Sequence, residues 1–241
     1  MSSRKKRKKK KSSSFLIAVG ILVISLLYRG NIIGNTYSTN ETEVLMVSYQ
    51  KEDIPEYNGE KYILLNDNVP YFDNYTQEEF EIYGALDNLK RCTVAYANVS
   101  KYTMPTEKRG SIGSVKPSGW HISKYDFIDG KYLYNRCHLI GYQLTGENAN
   151  VKNLITCTRE MNTGVMLEYE NKVASYIKKT NNHVMYRVTP VYDGDNLVAK
   201  GVIMEGYSVE DSGTGIKFNI FVYNVQDGVI IDYSNGENYP E

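Results

Sequence analysis

The sequence of 241 residues is poor in several residue types. Three histidines and three cysteines, with no CxxC pair, give no recognisable zinc-binding spacing. Six prolines and 19 glycines without a short repeat exclude collagen-like and low-complexity chains. The apolar run at 15–28 is shorter than the about 20 residues of a membrane-spanning helix.

The chain length fits one ordinary domain with a tail. Because the cysteines Cys92, Cys137 and Cys157 are odd in number, at least one thiol is free, and the sequence leaves the pairing of the others open.

The absence of net charge is a cancellation of four blocks. Residues 1–11 hold eight bases and no acid, residues 12–89 hold three bases and twelve acids, residues 90–179 hold fourteen bases and seven acids, and residues 180–241 hold three bases and nine acids. Such asymmetry bears on partners and not on the fold. It predicts a basic working surface over 90–179 inside an otherwise acidic domain, with binding that weakens as salt rises.

The amino-terminal segment is typical of an export signal. A basic run at 4–11 is followed by serines and by an uncharged, mainly apolar stretch from Phe15 to Tyr28. No small-x-small cleavage motif follows soon after, which favours an uncleaved signal-anchor over a cleaved signal peptide. We therefore expect the domain to lie on the extracellular face of the membrane or to be secreted. The expected organisation is a basic cytoplasmic n-region at 1–14, a signal-anchor or signal peptide at 15–28, a spacer at 29–60 and a domain at 61–241.

The domain is predicted to be α+β, with a central antiparallel sheet. A helix is expected from Asn162, because apolar residues recur on one face at Val165, Tyr169, Val173, Tyr176 and Ile177. A short helix is expected at 76–83 and a loop at 101–120, which is rich in Gly, Ser and basic residues. The strand candidates lie at 62–65, 92–99, 132–134, 154–158, 184–192, 197–205, 216–225 and 229–233.

Acid–base chemistry centres on His138, which lies in the segment YNRCHLIGYQL within the basic block. Its ordinary pKa near neutrality suits the removal of a proton from water beside a phosphate. Arg136 shares the same strand face by the period of two, and a guanidinium can hold that phosphate through two hydrogen bonds. The alternative is a half-buried histidine satisfied by the backbone. His121 and His183 are interpreted as loop and turn residues.

These motifs together resemble the DNA/RNA non-specific endonucleases of the ββα-metal, or His-Me finger, type. The resemblance is carried by NRCH at 135–138, by HLIGYQLTGENANVKNLIT from His138, and by TREMN ending at Asn162. It extends to the segments at 104–120 and 223–237 and covers about residues 61–235. The similarity is greatest to secreted and membrane-bound nucleases of streptococci and related Gram-positive bacteria, including the DNA-entry nuclease.

The resemblance implies a role for each candidate residue. His138 would be the general base, Asn162 the only direct protein ligand of one Mg²⁺, with Mn²⁺ as a substitute, and Glu170 a carboxylate that holds metal-bound water. Arg136 would contact the scissile phosphate. The fold would include a strand–strand–helix catalytic element at about 132–178, on one side of the sheet. Phosphate contacts that are independent of base sequence would come from Lys108, Arg109, Lys116, Lys124, Lys152 and Arg159. Trp120 and Tyr125 are interpreted as packing residues in preference to base-stacking ones.

Two features of this sequence bear on those roles. The family's DRGH is NRCH here, so Asn135 removes one carboxylate near the site and Cys137 adds a side chain on the face opposite His138. Asn162 and Glu170 are eight residues apart, about 12 Å along a continuous helix. They serve one ion only if Asn162 lies at the helix entry and Glu170 acts through water. Without the resemblance, Asn162 would be interpreted as a helix cap and Glu170 as a solvated helix face.

The sequence therefore predicts a Mg²⁺-dependent endonuclease that cleaves DNA, with RNA left open as a second substrate, and leaves 5′-phosphate ends. No obligate protein partner is inferred. One alternative is a non-catalytic cell-surface receptor for DNA binding and uptake. It is disfavoured because binding needs neither His138 nor Asn162. A structural cell-surface domain, in which the basic block is incidental, is the second alternative.

Overall fold

The computed structural model describes residues 54–241. The expected n-region, the apolar stretch at 15–28 and most of the spacer therefore lie outside the described residues. Within 54–241, no helix is both long and apolar enough to cross a membrane.

The strands are β1 (Tyr62–Leu64), β2 (Phe80–Tyr83), β3 (Ala95–Val99), β4 (Tyr134–His138), β5 (Leu154–Thr158), β6 (Val184–Val191), β7 (Gly201–Ser208), β8 (Lys217–Tyr223), β9 (Val229–Ile231) and β10 (Asn238–Pro240). The helices are α1 (Tyr142–Thr145), α2 (Arg159–Met161) and α3 (Leu167–Thr180), with a π-helical turn, Asn162–Met166, joining the last two and a 3₁₀ turn at Asn66–Asn68.

A six-stranded antiparallel sheet forms the centre of the fold. Its strand order is β1-β8-β7-β6-β3-β2, and every neighbouring pair is antiparallel. Strands β6, β7 and β8 are buried over almost their whole length, because both faces of the sheet are covered. The predicted α+β class with a central antiparallel sheet is confirmed.

Helix α3 packs on one face of this sheet. Tyr169, Val173 and Ile177 are buried against sheet residues that include Val188 and Phe218. Val165 and Tyr176, the two other members of the predicted apolar stripe, are half-buried and contact the same core. The i, i+4 spacing therefore identified the buried face of this helix correctly.

The opposite face of the sheet is covered by the beginning of the described chain. Ile54, Leu65 and Phe221 belong to a second apolar cluster, and the Tyr223 hydroxyl donates to the carbonyl of Pro55 at 2.9 Å. Packing against the sheet thus extends back to residue 54.

Strands β4 and β5 form a separate two-stranded sheet next to the core. Arg136 lies opposite Thr156 and His138 opposite Leu154 in antiparallel register. A disulfide joins Cys137 to Cys157, whose Cα atoms are 5.9 Å apart, while Cys92 is a buried free thiol. Since β5 leads directly into α2, this unit has the order strand, strand, helix.

The helix expected at 76–83 is wrong. Phe80–Tyr83 instead forms strand β2, which pairs with β3 in the register Phe80 to Asn98. The Thr76 hydroxyl accepts from the backbone of Glu78 at 3.0 Å and so closes a local turn without starting a helix. The ring of Phe80 packs edge-on against Tyr96, with centroids 4.8 Å apart, and this non-local contact favours the strand.

Several other strand boundaries differ from the expected ones, and the strand expected at 92–99 begins only at Ala95. The segment expected at 132–134 forms a strand only from Tyr134 onward, and the strand expected at 197–205 begins at Gly201. Val198 is hydrogen-bonded to the carbonyl of Tyr233 instead, outside the central sheet. The loop expected at 101–120 contains neither helix nor strand, as predicted.

Candidate active site

His138 is held at the end of β4 in a single tautomer. Its Nε2 lies 2.7 Å from the carbonyl oxygen of Asn148 and must carry the proton, because a carbonyl only accepts. Its Nδ1 accepts from the guanidinium of Arg109 at 3.3 Å. Burial, together with the charge of Arg109, lowers the pKa of His138 to about 4, although the bond to Asn148 opposes the shift. The imidazole is therefore neutral near pH 7, with its lone pair on Nδ1.

Glu170 lies in the first turn of α3 and is 9% exposed. It is therefore not on the solvated helix face that would be expected without the family resemblance. Burial raises the pKa of its carboxyl group to about 8. Hydrogen bonds from Gln143 and from the backbone of Gly141, and the charge of Arg109, act in the opposite direction. The carboxylate lies directly against Gly141, and a side chain at position 141 would collide with it.

Asn162 does not begin the helix, and that expectation is wrong. Thr158, the last residue of β5, is the N-cap, and its hydroxyl accepts from the backbone of Met161 at 3.1 Å. Thr158 takes this position because its backbone is extended, with φ −72° and ψ 158°, as an N-cap requires. Asn162 follows in the π-helical turn, where Gly164 departs from helical geometry at φ −91° and ψ −110°. Asn162 and Glu170 are therefore not on one continuous α-helix.

Asn162 lines an open cleft of about 470 Å³. Three arginines, Arg109, Arg136 and Arg159, line the same cleft. The side-chain amide of Asn162 makes no hydrogen bond to any residue in 54–241 and so remains available to a ligand. The other lining residues are Ile112, Trp120, His121, Ile122, Tyr132, Tyr134 and Asn135.

Arg109 connects the cleft with the two buried titratable groups. His138 and Glu170 do not line the cleft, but Arg109 does, and it contacts the first and lowers the pKa of both. The loop that carries Arg109 lies 29 residues before His138 in the chain. Its guanidinium therefore occupies the only lone pair that His138 could use as a base.

Arg136 is shared between the loop at 101–120 and the cleft. Its Nε donates to the carbonyl of Val115, and one Nη donates to the carbonyl of Gly113 at 3.1 Å. Its guanidinium lies over the ring of Trp120, 4.0 Å from the centroid. Since an arginine has five N–H groups, three remain for a phosphate.

Of the remaining basic candidates, only Arg159 lines the cleft. Arg159 lines the cleft and forms an ion pair of 2.8 Å with Asp129. Lys108 and Lys116 are exposed residues of the same loop as Arg109 but do not line the cleft. Lys124 and Lys152 are also exposed and lie outside it.

Residues that the sequence did not single out support the candidate ones. Asn148 orients His138, Gly141 and Gln143 bind the carboxylate of Glu170, and Thr158 caps the helix. The side chain of Asn224 bonds the backbone of β5 at Thr158 and so fixes the end of that strand. Only Thr158 carried a local signal, because threonine is a preferred N-cap residue.

The donor set suits a hard cation. Across the described part of the chain, no group of three or more His, Cys, Asp or Glu residues could hold a metal ion. The two candidate donors are oxygens: the free side-chain amide of Asn162, which lines the cleft, and the carboxyl group of Glu170, which is buried outside it. Mg²⁺ prefers oxygen ligands and keeps several of its waters, so it needs few protein ligands.

With this fold and site, the chain belongs to the DNA/RNA non-specific endonuclease family, whose model matches residues 69–210. The matched range contains every candidate site residue. The resemblance inferred from the motifs is thereby confirmed.

Its relatives include streptococcal nucleases. A deoxyribonuclease from Streptococcus dysgalactiae subsp. equisimilis is 28% identical over 197 residues, which cover 64% of this chain and 59% of that protein. The chain thus spans less than two thirds of the length of this relative. The structure of NucA from Streptococcus agalactiae with a magnesium ion bound superposes with a TM-score of 0.67 at 25% identity, covering 74% of this chain and 87% of NucA. The Sda1 nuclease with a bound zinc ion gives 0.57 at 28% identity, covering 67% and 82%.

Proposed function

We propose that this protein is a Mg²⁺-dependent endonuclease that hydrolyses DNA without base specificity. The observation that carries the proposal is the state of His138. A buried neutral imidazole, fixed in one tautomer by Asn148, directs its lone pair at Arg109, which lines the cleft together with two further arginines. Arginines bind the phosphates of any sequence alike, which suits non-specific cleavage. A DNA receptor without catalysis would not need an oriented histidine.

His138 acts as the general base in this proposal. Its Nδ1 takes a proton from a water molecule as the water oxygen bonds to phosphorus. The bond from phosphorus to the 3′ oxygen breaks, so one product carries a 5′-phosphate and the other a 3′-hydroxyl after protonation from solvent.

Arg109 must leave Nδ1 before that step, because one lone pair cannot accept from both a guanidinium and a water. An entering phosphate provides the alternative partner for the guanidinium. Exchanging a nearby cation for an anion also raises the pKa of the imidazole above about 4, which makes it a stronger base. Arg109 thereby couples substrate binding to the basicity of His138.

Asn162 would hold the cation directly and Glu170 through water. When bound, Mg²⁺ supplies positive charge that stabilises the charge developing on the phosphate and the leaving oxygen. The free amide of Asn162 can bind a cation. A nearby cation also lowers the pKa of Glu170 and so favours its charged form. The magnesium-bound NucA structure supports the choice of cation, and Mn²⁺ is expected to substitute.

Plasmid nicking by the full chain tests the proposal. We expect cleavage with Mg²⁺, none with EDTA, and a loss of at least about 100-fold for His138→Ala, the usual range for a general base. His183→Ala is the matched control, since His183 is bound between Glu79 and Glu210 and not in the cleft. Undiminished nicking by His138→Ala, or nicking in EDTA, would contradict the mechanism. Products that accept a 5′ label only after phosphatase treatment would support the predicted ends, and parallel digestion of RNA would define the substrate range.

We also propose that the protein acts outside the cytoplasm, anchored by residues 15–28. The basic and apolar order of residues 4–28 supports this, and so does the disulfide Cys137–Cys157, because disulfides persist in oxidising compartments. Fractionation is expected to recover the chain with the membrane. Recovery of the domain from the medium with a new amino terminus near residues 30–40 would contradict the anchor.

A further inference from the structure

Two exposed apolar residues that line the cleft, Ile122 and Tyr132, have no part in the proposed reaction, and we call them the apolar wall. Ile122 is 74% exposed and Tyr132 is 48% exposed, and both line the cleft together with Arg136 and Arg159. Single exposed apolar residues are common on protein surfaces. Two large ones that line one concave site beside several cations are not accounted for by packing, and such a surface marks a binding site.

Tyr132 belongs to a short hairpin that fixes its position. Lys124 and Tyr132 form an antiparallel bridge, and the backbone of Tyr125 bonds the carbonyl of Lys131 at 2.9 Å. The ammonium group of Lys124 lies 4.7 Å from the centre of the Tyr132 ring. Leu133, the next residue, is fully buried and anchors the hairpin. Tyr132 is therefore held in place while about half of its surface stays open.

The position of the wall relates it to the reacting phosphate. Tyr132 lies four residues before Arg136, at most about 14 Å along the chain. The intervening Tyr134 lines the same cleft. A group bound on the wall therefore belongs to a nucleotide close to the one whose phosphate contacts Arg136.

We propose that Ile122 and Tyr132 form a subsite for an unpaired nucleobase, which makes single-stranded DNA the preferred substrate. This proposal rests on the proposed nuclease function. Three arginines make the cleft complementary to a polyanion, and the base of an unpaired nucleotide is the apolar part of that polyanion. Stacking on an aromatic ring tolerates every base, because each has a π-face. In a duplex the bases stack on one another, so only an unstacked strand can reach the wall.

Binding to the full chain carrying His138→Ala, which is expected not to cut, tests the subsite. Fluorescence anisotropy would use a labelled 12-nucleotide oligothymidylate, the same strand with every base removed, and a duplex. Adding Tyr132→Ala is expected to weaken binding of the intact strand about tenfold, the contribution of one stacked base, and to leave the abasic strand unchanged. Tyr132→Phe should retain binding. Tyr102→Ala, an exposed tyrosine outside the cleft, is the control.

The outcomes separate this proposal from the nuclease function. Equal weakening of the intact and abasic strands by Tyr132→Ala would overturn the subsite. So would a concentration-dependent dimer that Tyr132→Ala abolishes, since a second copy would then cover the wall. If the wild-type chain binds the intact strand better than the abasic one but nicks no plasmid, the subsite stands and the proposed catalysis fails.

Discussion

Replacing Glu170 by glutamine tests whether burial keeps this carboxyl group protonated in the metal-free protein. Glutamine retains the shape of the side chain and an oxygen that accepts from Gly141 and Gln143. It lacks a negative charge at every pH. The variant should therefore gain stability while it loses nuclease activity, because the proposed role of Glu170 requires the charge.

The magnitude follows from the shifted pKa. The pKa of Glu170 rises from 4.5 to about 8 on folding. Because the folded pKa is raised, Glu170 destabilises the folded state wherever the unfolded chain is ionised. This destabilisation is absent below pH 4.5, grows as the pH rises, and is complete above pH 8. At pH 7 Glu170 is ionised in the unfolded chain and mostly protonated in the folded chain. This pH lies about 2.5 pH units above the unfolded pKa of 4.5. At about 1.4 kcal/mol per unit, Glu170→Gln should raise the free energy of unfolding by about 3 kcal/mol at pH 7.

Urea unfolding in EDTA between pH 4 and pH 8 measures the effect. The difference between Glu170→Gln and the wild type should be near zero at pH 4 and increase towards pH 8. Glu168→Gln is the matched control, because Glu168 is exposed and pairs with Lys172 at 2.7 Å on the helix surface. That substitution should cost less than about 0.5 kcal/mol. A Glu170→Gln variant that is no more stable than the wild type at pH 8 would refute the reasoning.

Three further predictions concern the strand–strand–helix unit. In a proton NMR titration of the metal-free protein, His138 should titrate near pH 4, because burial and the nearby guanidinium disfavour its charged form; a midpoint at or above 6.5 would contradict this. Thr158→Ala should lower the free energy of unfolding by about 1–2 kcal/mol through loss of the helix cap, whereas Thr158→Ser should retain most of it; an unchanged urea midpoint for Thr158→Ala would count against the cap. Reduction of Cys137–Cys157, separated by 20 residues, should cost about 3 kcal/mol in the same assay. Cys92→Ala should leave that sensitivity to reductant intact, and a wild type that is indifferent to reductant would argue against the bridge.

Local sequence patterns predicted the elements whose stabilising contacts are themselves local. The helix face of Tyr169, Val173 and Ile177 was recognisable because residues four apart meet on one side of a helix. Strand β5 was predicted with its observed bounds, Leu154–Thr158. The segment at 76–83 was misread because Thr76 and the following glutamates resemble a helix start, whereas pairing with β3 decides its structure.

The candidate site shows the same division. The motif around His138, the candidate ligand Asn162 and the basic block that supplies the arginines of the cleft were recognisable in the sequence. The place of Asn162 in the helix was not. The sequence did not reveal that Glu170 is buried against Gly141, or that Arg109 contacts Nδ1 of His138, because these residues are about 29 positions apart in both cases.

The sequence by itself therefore determined the family and the α+β class, and it predicted the candidate site residues, because these depend on residue type and on short spacings. The tertiary structure alone decided the tautomer of His138, the directions of the two pKa shifts, and the assembly of arginines and an apolar wall into one cleft. Desolvation and charge act through space, and the distances on which they depend are set by how the loop, the two-stranded sheet and the helix pack together.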